Sequence, residues 1–118
     1  MSKALLVIDM LNDFIEKDGA LFIGRPEEVV NNVSFRLREW RSEGNPIIYI
    51  ADQHLPGDAE FIMFPPHCLA GEWGGEVIEA LTPREKDFLI YKRRYSAFFG
   101  TDLDLTLREL GVKELELT

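Results

Sequence analysis

Ala4-Leu5-Leu6-Val7-Ile8, followed directly by Asp9, is the stretch whose reading decides the fold. An apolar run without polar alternation suits a strand covered on both faces, which is the habit of parallel sheets. The pattern recurs twice. Ile47-Ile48-Tyr49-Ile50 leads into Asp52 and His54, and Phe88-Leu89-Ile90-Tyr91 leads into Lys92. If these runs lie parallel, Asp9, Asp52, His54 and Lys92 share the carboxyl edge of one sheet, where open α/β folds place their sites. A fourth run, Leu115 to Leu117, should deliver a further group to that edge, but Thr118 is the last residue.

The segments between the runs read as helices and loops. The first strand is predicted from Lys3 to Ile8. A helix follows, with Pro26 at its first position, Glu27 and Glu28 at its positive end and Gly44 as terminator. Val29, Val33, Leu37 and Trp40 form its apolar stripe. Pro46 precedes a strand from Ile47 to Ile50. From Gln53 to Trp73 no period is visible, and Phe61, Met63 and Phe64 suggest a loop packed by its own apolar groups. Loops of that length are often functional. A short helix is predicted from Gly75 to Leu81, and a third strand from Phe88 to Tyr91. Thr101 reads as an N-cap with Asp104 three residues on, resembling a capping box. Leu103, Leu107 and Leu110 mark the buried stripe of that helix, and Gly111 closes it. A last strand runs from Val112 to Leu117, with Glu114 and Glu116 on one polar face, so it should lie near an exposed edge. Strand–helix–strand repetition gives a three-layer, Rossmann-like parallel α/β sheet in the order third, second, first, fourth. Residues 1–118 are read as a single domain.

Composition excludes several functions. The 118 residues are 46% apolar and 29% charged, enough for one domain with a core and too few for two. With 21 acids against 13 bases the net charge is −8, whereas a duplex-binding surface needs basic excess. Nucleic acid is therefore not an expected partner. Lys92-Arg93-Arg94 is the one dense basic cluster, and Arg93 and Arg94 are expected to turn outward. Asp9, Asn12 and Asp13 interrupt the first apolar run, so neither a secretory segment nor a membrane span fits. A lone cysteine excludes an intrachain disulfide framework and agrees with a cytoplasmic setting. Neither glycine-rich nucleotide fingerprint is present.

Each site residue has a plain alternative. Asp9, directly after an apolar run, either emerges at the strand end as a reactive group or accepts from the loop amides of Leu11 to Asp13. Asp52 and His54, two residues apart on extended backbone, can face one ion, and His67 can complete the set from across the loop. Otherwise they are ordinary loop histidines beside an acid bound to backbone amides. Adjacent His67 and Cys68 invite a thiolate–imidazole reading, but neighbouring side chains on extended backbone diverge, and Cys68 suits a small buried hydrophobe better. Phe14 and Trp73 are candidates for an aromatic pocket or for plain core.

Four blocks in order resemble the isochorismatase-like cysteine hydrolases, particularly their metal-binding nicotinamidase branch. They are Leu6-Val7-Ile8-Asp9-Met10-Leu11-Asn12-Asp13-Phe14, Asp52-Gln53-His54-Leu55-Pro56, Pro65-Pro66-His67-Cys68, and Tyr91-Lys92-Arg93-Arg94-Tyr95-Ser96-Ala97-Phe98 with Gly100-Thr101-Asp102-Leu103. The resemblance implies that Asp9 is the catalytic acid and Lys92 the catalytic lysine. It implies that Asp52, His54 and His67 hold a divalent metal, zinc first, with iron or manganese as alternatives. Phe14 resembles the aromatic residue that holds the substrate ring, and Trp73 is grouped with it as substrate-binding. Gln53 stands where the pattern has tryptophan. Cys68 matches the non-nucleophilic cysteine of Pro-x-His-Cys. The family nucleophile follows the fourth strand in a Gly-Val-x-Thr-x-x-Cys segment, which this sequence does not contain, so the chain reads as lacking its C-terminal third.

The expected function is hydrolysis of a small amide, nicotinamide foremost, through a cysteine thioester, by a cytoplasmic homo-oligomer. The alternatives are an isochorismate or carbamoyl-amide hydrolase of the same superfamily, or a non-catalytic binding protein. Residues 1–118 by themselves are expected to be inactive.

Overall fold

The computed structural model describes residues 2–118. Four parallel strands, β1 (Lys3–Ile8), β2 (Ile47–Asp52), β3 (Phe88–Lys92) and β4 (Glu114–Leu117), form one sheet in the order β3-β2-β1-β4. That is the order read from the apolar runs. The central strands are covered on both sides: every residue of β2 is buried, and Ala4 to Val7 of β1 are almost inaccessible. Alternate side chains supply two cores. Leu5, Val7, Ile47 and Tyr49 pack with Val33, Leu37 and Trp40 of α2 (Pro26–Glu43), which follows the single-turn helix α1 (Asn12–Ile15). Ala4, Leu6, Ile48, Ile50 and Ile90 pack on the other face with Leu103 and Leu107 of α3 (Leu103–Glu109).

Helix α2 begins at Pro26 and ends at Gly44, whose φ of 74° is a left-handed closure that glycine adopts without a Cβ penalty. Val29 departs from the expected stripe and is exposed, while Val30 joins the core from the partly buried side.

Gly75 to Leu81 is not a helix. Two 3₁₀ turns, Trp73–Gly75 and Glu79–Leu81, flank an extended stretch in which Val77 bridges Leu11 in antiparallel fashion. Asn12 N–H donates to the Glu76 carbonyl and Ile78 N–H to that of Met10. Backbone pairing with a distant segment satisfies the groups that a helix would have used internally. At α3 the N-cap residue is Asp102, although the Thr101 hydroxyl accepts from Leu103 N–H at 3.1 Å. Asp104 pairs with Arg108 one turn on, at 2.9 Å, and closes no capping box.

β4 has a neighbour on one side only. Glu116 is ion-paired with Arg36 of α2, so the expected polar face of β4 is partly engaged by the helix above it. Among the described residues no helix is long and apolar enough to cross a membrane.

Candidate acid–lysine and metal site

The carboxyl ends of β1, β2 and β3 deliver the site. Asp9 follows β1 with a φ of 57°, a conformation that is uncommon for a residue bearing a side chain. Its N–H still extends the ladder to the Ile50 carbonyl at 2.8 Å. The reversal aims the carboxylate back at β2, where Oδ1 accepts from Asp52 N–H at 3.0 Å. The amides of Leu11 to Asp13 are therefore not its partners. Oδ2 lies 3.2 Å from Lys92 Nζ, and Lys92 also reaches Asp52 Oδ1 at 3.4 Å.

The register explains the meeting. Lys92 pairs with Asp52 across β2 and β3, so both side chains leave the sheet on one face at one level. Lys92 is buried and its charge is met by two carboxylates. Burial pushes the Asp9 carboxyl above its ordinary value; the Lys92 ammonium opposes that rise and the Asp52 charge adds to it. Such a carboxyl can take and return a proton.

Asp52 also faces away from Lys92. Its Oδ2 lies 2.9 Å from His54 Nε2 and 3.2 Å from His67 Nε2. His67 is brought there by a short parallel bridge between His54 and Leu69, with His54 N–H donating to the Cys68 carbonyl and Ala70 N–H to that of His54. Glu60, from the 3₁₀ turn Ala59–Ile62, places Oε1 at 3.8 Å from His54 Nε2 and 3.9 Å from His67 Nε2. One ligand atom from each of Asp52, His54, Glu60 and His67 lies within 4.8 Å of the others. The sequence reading had three of these four. Glu60 was missed because it is one acid of many in a loop without periodicity; its only signal was proximity in sequence to His54.

The donor set fits a divalent cation. His67 Nδ1 lies 2.8 Å from the Pro65 carbonyl, which can only accept, so Nδ1 carries the proton. His54 Nδ1 faces the Asp58 carboxylate at 2.8 Å, with the same consequence. With the proton on Nδ1, the Nε2 atom of each ring is the one that faces the Asp52 and Glu60 carboxylates. Two imidazole nitrogens and two carboxylates converging in this way suit zinc, iron or manganese.

The aromatic candidates divide. The Phe14 ring lies 5.9 Å from that of His67, on which Phe61 and Phe64 also pack, Phe61 reaching His54 as well. Trp73 is half-exposed, is not among those rings, and contributes its carbonyl to Asn12 Nδ2 at 2.8 Å. Cys68 is fully buried with a φ of 49°, its N–H donating to Asp13 Oδ2 at 2.7 Å. Burial pushes its thiol far up, with the Asp52, Asp13 and Asp9 charges adding to the shift and Lys92 opposing it. It is a thiol and packs with Leu11 and Ala51. Asp13 also accepts from Ala20 N–H at 2.9 Å, and a Cβ on Gly74 would overlap its carboxylate. Arg93 and Arg94 do not simply turn outward: both reach the buried Asp58 at 3.0 Å.

Residues 3–118 match the Isochorismatase domain. The chain belongs to the isochorismatase family. The isochorismatase family protein PncA of Bacillus subtilis is 38% identical, over 99% of this chain and 70% of its own length. N-carbamoylsarcosine amidase from Thermoplasma acidophilum superimposes with a TM-score of 0.91 at 35% identity, covering 99% of this chain and 66% of its own. Pyrazinamidase of Pyrococcus horikoshii in complex with zinc gives 0.89 at 28% identity, over 99% of this isochorismatase-family chain and 69% of its own. The chain spans about 55–70% of the length of the curated relatives it matches.

Proposed function

We propose that this chain forms the acid–lysine and metal-binding part of a cysteine hydrolase acting on a small carboxamide, nicotinamide foremost. The observation that carries the reading is Asp52, whose two oxygens face different partners. Oδ1 faces Lys92, itself on Asp9, and Oδ2 faces His54 and His67. A proton-handling pair and a cation site so joined suit a substrate whose scissile amide and ring nitrogen are a few bonds apart.

In this reading a cysteine thiolate attacks the carboxamide carbon. Asp9, with its raised pKa, accepts the thiol proton and returns it to the departing ammonia. Asp9 then takes a proton from the water that cleaves the thioester and returns it to the leaving thiolate. Lys92 stabilises the Asp9 carboxylate each time it is ionised. Asp52, His54, Glu60 and His67 hold the divalent metal, zinc first with iron or manganese as alternatives. The metal supplies a Lewis-acidic anchor for the substrate ring. Phe14 and Trp73 are the proposed ring contacts. The buried Cys68 is not the nucleophile, so the reading assigns that role to a segment following β4. Without it, residues 1–118 are proposed to be inactive.

The carbamoyl-amide reading is kept as a second one because Thermoplasma N-carbamoylsarcosine amidase superimposes so closely. We further propose a cytoplasmic homo-oligomer, with no nucleic-acid or membrane partner. Met63, Tyr95 and Phe99 line an open apolar groove that suits self-association.

The test uses the protein with the cysteine-bearing segment attached, assayed for ammonia release from nicotinamide and from an N-carbamoyl amino acid. Asp9→Asn should lower kcat/KM for the preferred substrate by roughly 10²–10⁴-fold. Turnover undiminished in Asp9→Asn would refute the mechanism, and preference for the carbamoyl substrate would move the assignment to the second reading.

A further inference from the structure

Outside the groups named so far as catalytic or metal-binding, Asp58 has the richest set of side-chain partners among the described residues. Its carboxylate is completely buried. It accepts from His54 Nδ1 at 2.8 Å, from Glu60 N–H at 2.9 Å, from Arg93 at 3.0 and 3.2 Å and from Arg94 at 3.0 Å. The arginines directly follow Lys92 at the end of β3, and Asp58 lies four residues beyond His54. One carboxylate therefore joins the metal loop to the strand that delivers the lysine.

An ionised carboxylate has no proton to give, and two guanidiniums with a backbone amide keep this one ionised. The proton in its bond to His54 must therefore sit on Nδ1. In the neutral ring the lone pair then falls on Nε2, the atom that faces Asp52, Glu60 and His67. Placed on Nε2, the proton would occupy the coordination direction and leave an Nδ1 lone pair against a carboxylate. Histidine ligands depend on such a partner for tautomer and ring orientation. His67 reaches the same end through a neutral carbonyl, that of Pro65.

We infer that Asp58 is a positioning residue that fixes His54 as its Nδ1–H tautomer and reserves Nε2 for a divalent cation. The inference rests on the metal reading above. The competing role, a turn-starting acceptor for Glu60 N–H alone, would leave the tautomer of His54 indifferent to Asp58.

The chain contains two histidines, so ¹⁵N-histidine labelling reports two imidazoles and no others. The experiment records their spectra in the metal-free chain at about pH 8, where ordinary imidazoles are neutral. It also measures zinc affinity by competition with a chromophoric chelator. In the unsubstituted chain both rings should carry a proton on Nδ1. Asp58→Asn should give a mixed tautomer at His54, leave His67 unchanged and weaken zinc binding by roughly 10- to 100-fold. The double variant Arg93→Gln/Arg94→Gln keeps the carboxylate and should keep the His54 tautomer, which also serves if Asp58→Asn fails to fold. A His54 ring without a proton on Nδ1, in the unsubstituted chain or in the double variant, would overturn the inference. So would Asp58→Asn with unchanged tautomer and zinc affinity, or with both rings disturbed alike. If the unsubstituted chain takes up no zinc while both rings remain Nδ1–H, the metal reading falls and the tautomer assignment stands.

Discussion

Asp9 and Asp58 are two carboxylates at the same sheet edge, held in opposite ways. Asp9 sits on a strained residue at a strand end, with one lysine and one amide as partners, and burial drives its carboxyl upward. Asp58 sits in a loop with an amide, an imidazole and two guanidiniums around it. Its carboxyl lies far below the ordinary range, first through the Glu60 N–H and then through His54 and Arg93. Asp58 is fully buried and Asp9 only partly, yet it is Asp58 whose carboxyl is lowered, so burial alone does not decide the state of an acid. The number of donors does: Asp9 has few and can exchange a proton, whereas Asp58 is saturated and serves as a fixed point.

The largest expected effect breaks the Asp9 side. Lys92→Met removes the buried charge between Asp9 and Asp52 and should cost about 3–5 kcal/mol at neutral pH, read by urea unfolding of the metal-free chain. The cost should depend on pH in a set direction. A carboxyl with a raised folded pKa favours the folded state below its unfolded value, near 3.9, and that contribution is lost as pH rises through the folded value. Lys92 opposes the rise, so its removal moves the folded value further up, and the deficit of the variant should shrink on acidification. A deficit that stays constant from neutral to acid pH would show that Asp9 does not take up a proton there.

On the other side, Asp58→Ala leaves two guanidiniums and His54 Nδ1 without their acceptor. The arginines are about half exposed and water partly replaces the lost contacts, so the expected cost is about 3 kcal/mol, the lower end for a broken buried pair. Equilibrium unfolding compared with that of Arg94→Gln sharpens the contrast. Equal losses would mean that the carboxylate matters only as a surface ion-pair partner.

The smallest effect concerns Cys68, the sequence neighbour of His67, packed with Leu11 and Ala51. Cys68→Ala should cost about 1 kcal/mol and leave zinc affinity unchanged, because the side chain is a small packed hydrophobe. In the folded chain iodoacetamide should label Cys68 only as fast as the protein unfolds. Rapid labelling of the native chain would mean a reactive thiolate and would reopen its part in the chemistry.

How much was legible follows from how each residue is placed. Asp9, Asp52 and Lys92 could be read because each follows an apolar run at a strand end, and parallel pairing brings strand ends together without detailed knowledge of side chains. His54 and His67 were legible because imidazoles are scarce in this chain. Glu60 and Asp58 were not, being two acids among 21 in a loop without a period. Arg93 and Arg94 had the pattern of a solvated run until a buried acceptor lay within reach. The stretch from Gly75 to Leu81 has helical spacing, yet Val77 pairs with Leu11, a partner more than sixty positions away.

The sequence by itself determined the strands, their parallel order and the edge where the chemistry gathers, because burial of β1 and β2 on both faces imposes a continuous apolar pattern that local reading detects. β3 repeats that pattern although much of it is exposed here. The tertiary structure decided which acids lose water, which donors surround them, and hence which carboxylate is free to move a proton and which is pinned. Those properties depend on groups that are near in space and distant along the chain, and no local pattern encodes them.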